Sequence, residues 1–219
     1  MLRFLEKISR PGLIFALIGI SFLWFSAGDA VVSLKTAKTF DTVVAGDVSA
    51  GDRVAGKVPL LLDSFAVEQT WTENSSTNSV TPKKNSSYYF VLPSADKFLG
   101  LMVNAADAPQ AKSLVDQTYG YFSGGAAPTA ELIMEGRVMP MEEELVGMFK
   151  KELQEYYGIS EQDMAASGTP LIIVPRSFFA VRTIFGIGFA LFLLGLFLLV
   201  RRFRKFSRME RANRASNMY

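Results

Sequence analysis

FFAVRTIFGIGFALFLLGLFLLV, residues 178–200, is the stretch on which the organisation of this chain depends. As an α-helix, its 23 residues would rise roughly 34 Å, which is enough to cross a hydrocarbon core of about 30 Å. Arg182 is its one charged residue and lies a turn from its start, where a long side chain can reach the membrane interface. A helix that is apolar on every side has no face to offer water, so the sequence predicts a transmembrane helix here.

A second apolar run occupies residues 11–34 and contains a single acid, Asp29. Its most apolar part is short, basic residues precede it and small residues follow it, so a signal peptide cleaved after Ala30 is one interpretation. The run continues through Val31 and Val32, and this favours the other interpretation, an uncleaved transmembrane helix over 11–34. Both interpretations place the following residues on the same side of the membrane.

The charges of the chain are distributed unevenly. Residues 1–12 carry a net charge of +2 and residues 201–219 a net charge of +6, whereas residues 34–177 hold 12 basic and 18 acidic residues, a net charge of −6. Lys and Arg next to transmembrane helices remain cytoplasmic. The sequence therefore predicts a multi-pass protein of the cell membrane with a cytoplasmic N-terminus at 1–10, an extracytoplasmic domain at 35–177 and a basic cytoplasmic tail at 201–219.

Two groups of residues are predicted to act at the membrane. The first is expected at the membrane interface and consists of Arg182, Arg201, Arg202, Arg204 and Lys205. The second consists of small residues that would let the two helices pack closely, namely Gly12, Ala16, Gly19, Gly186 and Ala190. The basic tail has two interpretations: a stop-transfer signal that sets orientation, or a helix that binds anionic lipid with its apolar residues along one side.

The region between the apolar runs reads as a mixture of strands and helices. Alternation over 54–62 predicts a strand that slips phase at Asp63 and then buries Phe65, Val67 and Trp71. A hairpin is predicted around the turn at 93–96, a further strand at 131–138 with a bulge at Gly136, and a last buried strand at 170–175.

Two helices are predicted among these strands. The first should begin at Asp107, with the Asp107 side chain capping it and Gln110 reaching back. Pro140 should open the second, which carries an acidic first turn at 142–144 and ends at Gly158. The expected fold class is α+β, with two transmembrane helices flanking a small curled sheet or OB-like barrel and two helices.

Element order over residues 50–139 resembles a small OB-like barrel, and it is similar to the membrane-adjacent domain of two-helix mitochondrial ubiquitin ligases. Those enzymes carry a Cys- and His-rich zinc module after their second helix, whereas the tail here has 19 residues and no Cys. The resemblance therefore implies a fold and no activity. The chain as a whole resembles uncharacterised two-helix membrane proteins of Gram-positive bacteria.

The chain contains neither Cys nor His, which excludes thiolate nucleophiles, His-dependent triads and zinc sites built on either residue. We therefore expect no catalytic residues, no metal and no cofactor. The expected function is an extracytoplasmic protein-interaction domain, for example an accessory subunit of an envelope assembly or transporter. Its expected partners are the lipid bilayer and a protein or second copy of the chain; nucleic acid is not expected for an acidic domain outside the cell.

Two alternatives stay open. A carboxylate-based envelope hydrolase would need two acidic side chains converging in one pocket, and an extracytoplasmic ligand sensor would need a route for its signal. The numerous aromatic residues of the outer domain are the best indication of an interaction surface; they are Trp71, Tyr88, Tyr89, Tyr119, Tyr121, Tyr156 and Tyr157.

Overall fold

The computed structural model describes residues 10–71, 73–74, 79–80, 83–95 and 97–216, and it describes side chains in these ranges except at 73–74, 79–80 and 210–216. The chain divides into two compact units. One comprises the segment up to residue 34 together with the segment from residue 178 onward, and the other comprises residues 35–177.

The helical unit consists of two long helices, α1 (Arg10–Ser33) and α6 (Phe178–Ser216). Within the described part of the chain, these two are long and apolar enough to cross a membrane. Most residues in the apolar part of each helix are not buried by the rest of the structure. The helix predicted over 178–200 thus extends well into the basic tail.

The second unit is built on a mixed sheet of six strands among the described residues, in the order β1-β7-β8-β6-β5-β2. Strands β3 and β4 pair with each other in a separate two-stranded antiparallel sheet. Neighbouring strands run antiparallel except for the parallel pair β6 and β8. The strands are β1 (Arg53–Lys57), β2 (Ser64–Thr70), β3 (Glu73–Asn74), β4 (Ser79–Val80), β5 (Lys84–Pro93), β6 (Phe98–Asn104), β7 (Ile133–Pro140) and β8 (Leu171–Pro175).

Four helices accompany the sheet in the described part of this unit: α2 (Phe40–Val44), α3 (Ala108–Phe122), α4 (Glu143–Tyr157) and α5 (Glu161–Ala166). A 3-10 turn at Ala105–Asp107 leads into α3. Gly158 ends α4 in the left-handed region at φ 66°, as the sequence predicted.

Both faces of the sheet are buried, and successive residues of a strand serve opposite cores. Phe90, Leu101 and Ile173 belong to the core that includes residues of α2 and α3. Their neighbours Val91 and Ile172 belong to the core that includes residues of α4 and α5. The unit is therefore a sheet between two helical layers. It is an α+β fold, and its sheet is not a closed barrel.

The predicted hairpin and last buried strand are present as β5 with β6 and as β8. The long strand predicted over 54–62 is wrong, because β1 stops at Lys57 and residues 58–63 cross to the opposite edge of the sheet. Val67 and Trp71 are also not buried, being 43% and 54% exposed. They lie on or just after the edge strand β2, where little packs over them.

Three local predictions also need correction. Gly136 is not a bulge: it pairs in register on both sides, and a Cβ there would lie 2.7 Å from the Val174 carbonyl oxygen. Pro140 ends β7, and the following helix begins only at Glu143. Asp107 precedes α3 but makes no capping hydrogen bond with its side chain, because the 3-10 turn already gives it a helical backbone conformation.

Candidate functional site

The outer edge of β1 is only partly covered. The backbone at Lys38 forms an isolated parallel bridge with Val54, in which Lys38 N donates to Arg53 O at 2.8 Å and Ala55 N donates to Lys38 O at 2.9 Å. Since main-chain groups of a strand alternate in direction, the N–H of Lys57 points to this same outer side. In the described sheet no strand pairs with β1 there.

A groove of about 490 Å³ lies beside this open part of the edge. Its apolar lining comes from four separate parts of the chain and consists of Phe40, Pro59, Leu60, Tyr121, Ala127 and Pro128. Gly56 and Lys57 of β1 line it as well. Gly56 has φ +131° and a Cβ there would meet nothing within 4 Å, so the strand presents bare backbone to the groove.

The walls of the groove are held by polar contacts. On one side, Lys38 pairs with Asp47 at 2.7 Å and with Asp52 at 3.1 Å, which positions the bridging segment. These two carboxylates raise the pKa of Lys38. On the other side, the Gln117 side-chain oxygen accepts hydrogen bonds from the backbone of Thr129 at 2.7 Å and Ala130 at 2.9 Å. Both sets of contacts fix chain segments that adjoin residues of the groove lining.

The opposite edge of the sheet, β2, has a different character. It is also an edge strand of the described sheet, but its exposed positions are mainly polar, and Glu68 and Gln69 lie in the middle of its exposed run. Charged and polar side chains on an edge discourage pairing with another chain. The two edges therefore differ in what they can bind.

A smaller cavity of about 290 Å³ lies among α4, α5 and β6. Its lining includes the apolar side chains of Phe98, Phe149 and Met164. Asp163 is the one acid among the described residues that line it, and the Ser160 hydroxyl donates to its carboxylate at 2.6 Å as part of the α5 cap. This volume is at the lower limit of typical ligand pockets.

Two tyrosines from opposite helical layers meet at Asp63. The Tyr119 hydroxyl donates to the Asp63 carboxylate at 2.5 Å and lies 3.0 Å from the Tyr157 hydroxyl. Burial, followed by these hydrogen bonds, raises the pKa of Tyr119, and burial raises the pKa of Tyr157. Both phenols are therefore neutral at pH 7, and the cluster joins α3 to α4 rather than supplying a nucleophile.

Glu152 lies close enough to this cluster for the Asp63 carboxylate to affect its pKa. Burial, and after it the carboxylates of Asp63 and Glu155, raise the pKa of Glu152. A raised pKa in the folded state means that stability is greatest when the group is protonated and is lost as the pH rises through that pKa. Glu152→Gln should therefore raise the denaturation midpoint at pH 7, and this gain should shrink towards pH 4.

Urea unfolding of both proteins at the two pH values measures this effect, with the low-pH comparison as an internal control. A destabilised Glu152→Gln protein at pH 7, or the same gain at both pH values, would contradict the raised pKa of Glu152.

The comparisons with known proteins give one match. The family model described as Domain of unknown function (DUF8577) matches residues 3–201. The chain belongs to this family. Neither a curated protein nor a solved structure matches the chain. The match covers α1, the sheet unit and the apolar part of α6 up to residue 201.

In this DUF8577 chain, the two long helices pack along seams with alternating spacings of four and three residues. On α1 the seam contains Gly12, Ala16 and Gly19, which are all buried. A Cβ at Gly19 would lie 2.5 Å from Phe192 N and 2.7 Å from Gly188 O. The backbones approach closely at these small residues.

The seam on α6 differs from the one predicted. Gly186 and Ala190 are exposed, and a Cβ at Gly186 would meet nothing within 4 Å. Gly188 and Gly195 are buried instead, and a Cβ at Gly195 would lie 2.4 Å from Ala16 N. Gly186 lies two residues, about half a turn, from Gly188 and so belongs to the opposite face of the helix. The seven-residue spacing of Gly188 and Gly195 is the signal that could have identified them.

The predicted interface residues occupy different positions. Arg182 donates from its Nε to the Ser33 hydroxyl at 3.3 Å and from a terminal nitrogen to the Ser33 carbonyl, so it joins the end of α1 to the start of α6. Arg201, Arg202, Arg204 and Lys205 are all exposed and lie on the continuous helix α6.

The predicted aromatic residues are similarly divided. Tyr121 lines the groove and is 43% exposed, whereas Tyr119 and Tyr157 belong to the Asp63 cluster. Tyr156 is 71% exposed on α4. The acidic run at 142–144 lies at the start of α4, and the described residues contain no group of three or more acidic side chains that could hold a metal ion.

Proposed function

We propose that this protein is a membrane-anchored, non-catalytic interaction module, and that the groove beside β1 binds an extended segment of a partner protein. The open edge next to a groove with an apolar lining is the observation that carries the proposal. An added strand gains main-chain hydrogen bonds from such an edge, and its alternate side chains gain specificity from a pocket. The backbone at Lys38 already occupies the first part of this edge in the same way.

The proposal places the groove outside the cell. In the sequence, one helix able to cross a membrane precedes the sheet unit and another follows it, and the positive charge lies at both ends of the chain. The positive-inside rule then puts both termini in the cytoplasm and residues 35–177 outside. A subunit anchored in this way could hold a component of an envelope assembly or transporter beside the membrane.

The site geometry favours binding over hydrolysis. Neither the groove nor the smaller cavity has two acidic side chains among its described lining residues, so neither supplies the acid and base of a carboxylate hydrolase. The groove volume of about 490 Å³ falls within the range of ordinary binding sites. A ligand sensor would use the smaller cavity, which is mostly apolar and engages its one described acid in a helix cap.

The test uses the full chain in its own membrane. Because the sequence has no Cys, single cysteines at Tyr156 and Ser216 report location cleanly. A membrane-impermeant maleimide should label Tyr156→Cys in intact cells and Ser216→Cys only after lysis. Tagged wild-type protein solubilised in mild detergent should then retain a partner that Tyr121→Ala loses by roughly tenfold or more, since exposed aromatics anchor interfaces.

Tyr156→Ala is the matched control, because it removes the same ring from an exposed site on another surface. The partner must also rebind to purified wild-type protein. Equal losses from the two variants, or no loss from Tyr121→Ala, would rule out the groove as the binding site. A partner that is itself a second copy of this chain would assign the groove to self-association.

A further inference from the structure

We propose that one face of α6, where it leaves the membrane, binds the headgroup of an anionic phospholipid. This inference rests on α6 crossing a membrane and does not depend on the groove beside β1. The face carries four cations at helical spacings of three and four residues: Arg201, Arg204, Lys205 and Arg208. They line one shallow groove on α6, the α6 groove, and are all exposed.

The direction of this basic face follows from the packing of α6. The seam against α1 contains Gly188, Phe192, Gly195 and Leu199, at spacings of four, three and four residues. Continuing this spacing by three and four reaches Arg202 and Phe206. At about 100° per residue, Arg201, Arg204 and Arg208 lie across the helix from that line, and Lys205 lies at about a right angle to it. The basic face is therefore turned away from the α1 side, towards the surroundings of the helix pair.

Apolar side chains continue the same face into the membrane. Leu196, Phe197 and Val200 line the α6 groove together with the four cations. A phospholipid fits this arrangement because its acyl chains would lie against the apolar part while its phosphate meets the guanidinium and ammonium groups. A free phosphate would use the cations alone. The continuity of the two parts therefore favours a lipid as the occupant.

A comparison of Arg202 with Arg204 distinguishes a lipid site on one face of α6 from a general attraction of the basic tail to anionic membranes. Arg202 and Arg204 have the same charge and lie two residues apart, but Arg204 belongs to the basic face and Arg202 to the line of the seam. If the attraction were general, loss of either charge would weaken lipid binding equally. A site on one face would depend on Arg204 and much less on Arg202.

The experiment measures lipid retention by the purified full chain in neutral detergent, using native mass spectrometry. The probes are phosphatidylglycerol and phosphatidylcholine with identical acyl chains. Arg204→Gln should weaken phosphatidylglycerol binding about fivefold, the equivalent of about 1 kcal/mol per basic residue. Arg202→Gln should weaken it less than about twofold, and phosphatidylcholine binding should be weak and unchanged.

Three results would overturn the proposal: equal effects of the two variants, equal binding of the two lipids, or displacement of phosphatidylglycerol by glycerol phosphate at equal concentration. The last result would assign the cations to a free phosphate instead. Circular dichroism without lipid verifies that each variant is folded, and Arg208→Gln is the second variant on the basic face should Arg204→Gln fold poorly.

Discussion

Leucine at Gly19 should force α1 and α6 apart, whereas leucine at Gly186 should leave their packing unchanged. A Cβ at Gly19 would lie 2.5 Å from Phe192 N and 2.8 Å from Phe192 Cα, which are backbone atoms that cannot rotate away. The two helices must therefore separate along much of the seam. Overpacking costs about 1–3 kcal/mol where side chains can adjust, and we expect a loss at or above the upper end of this range.

The distance between the helices can be measured directly because the chain has no native Cys. Spin labels on introduced cysteines at Leu17 and Leu194, which are 55% and 44% exposed, report it with little disturbance of the seam. Gly19→Leu should lengthen and broaden the distance distribution. Gly186→Leu is the control, since a Cβ there meets nothing within 4 Å. An unchanged distance in Gly19→Leu, or an equal change in both variants, would refute the seam.

Removal of the Phe90 ring should cause the largest loss of stability in the sheet unit. Phe90 lies in β5, is 2% exposed and packs in the core on the α3 side of the sheet. Phe-to-Ala substitutions in such cores cost about 3–5 kcal/mol, because they leave a cavity as well as losing apolar burial. This is a large part of the roughly 5–15 kcal/mol by which domains are stable.

Hydrogen exchange of the β5 and β6 amides in the detergent-solubilised full chain measures this loss without interference from the helical unit. Tyr156→Ala removes an aromatic ring that is 71% exposed and should cost less than about 0.5 kcal/mol. If these amides were protected from exchange equally well in Phe90→Ala and in Tyr156→Ala, the assigned core would be wrong.

Local sequence patterns were sufficient for several elements. The hairpin of β5 and β6 has a turn between two apolar runs, and the end of α4 has a glycine where the backbone becomes left-handed. In each case the cause lies within a few residues of the effect. The same holds for the apolar parts of the two long helices, residues 11–34 and 178–200, whose length and apolarity need no tertiary context.

Local patterns failed where burial depends on a distant partner. Val67 and Trp71 have the spacing of buried strand residues, but β2 is an edge strand and leaves both largely exposed. Conversely, Leu61 interrupts the predicted alternation over 54–62 and is fully buried, because the segment after β1 crosses between the two sheet edges instead of extending a strand. Alternation identifies a strand-like backbone and does not say which faces are covered.

The sequence by itself determined the membrane-crossing capacity of two helices, the uneven charge of the chain and the absence of Cys and His chemistry. Each of these depends on composition or on contiguous residues. The tertiary structure decided the seam and the groove. The sequence offers two sets of small residues on α6, Gly186 with Ala190 and Gly188 with Gly195. The rotation of α6 about its axis decides between them and places Gly188 and Gly195 against α1. The groove joins Phe40, Lys57 and Tyr121 from three distant segments, and no periodicity within one segment can encode such a meeting.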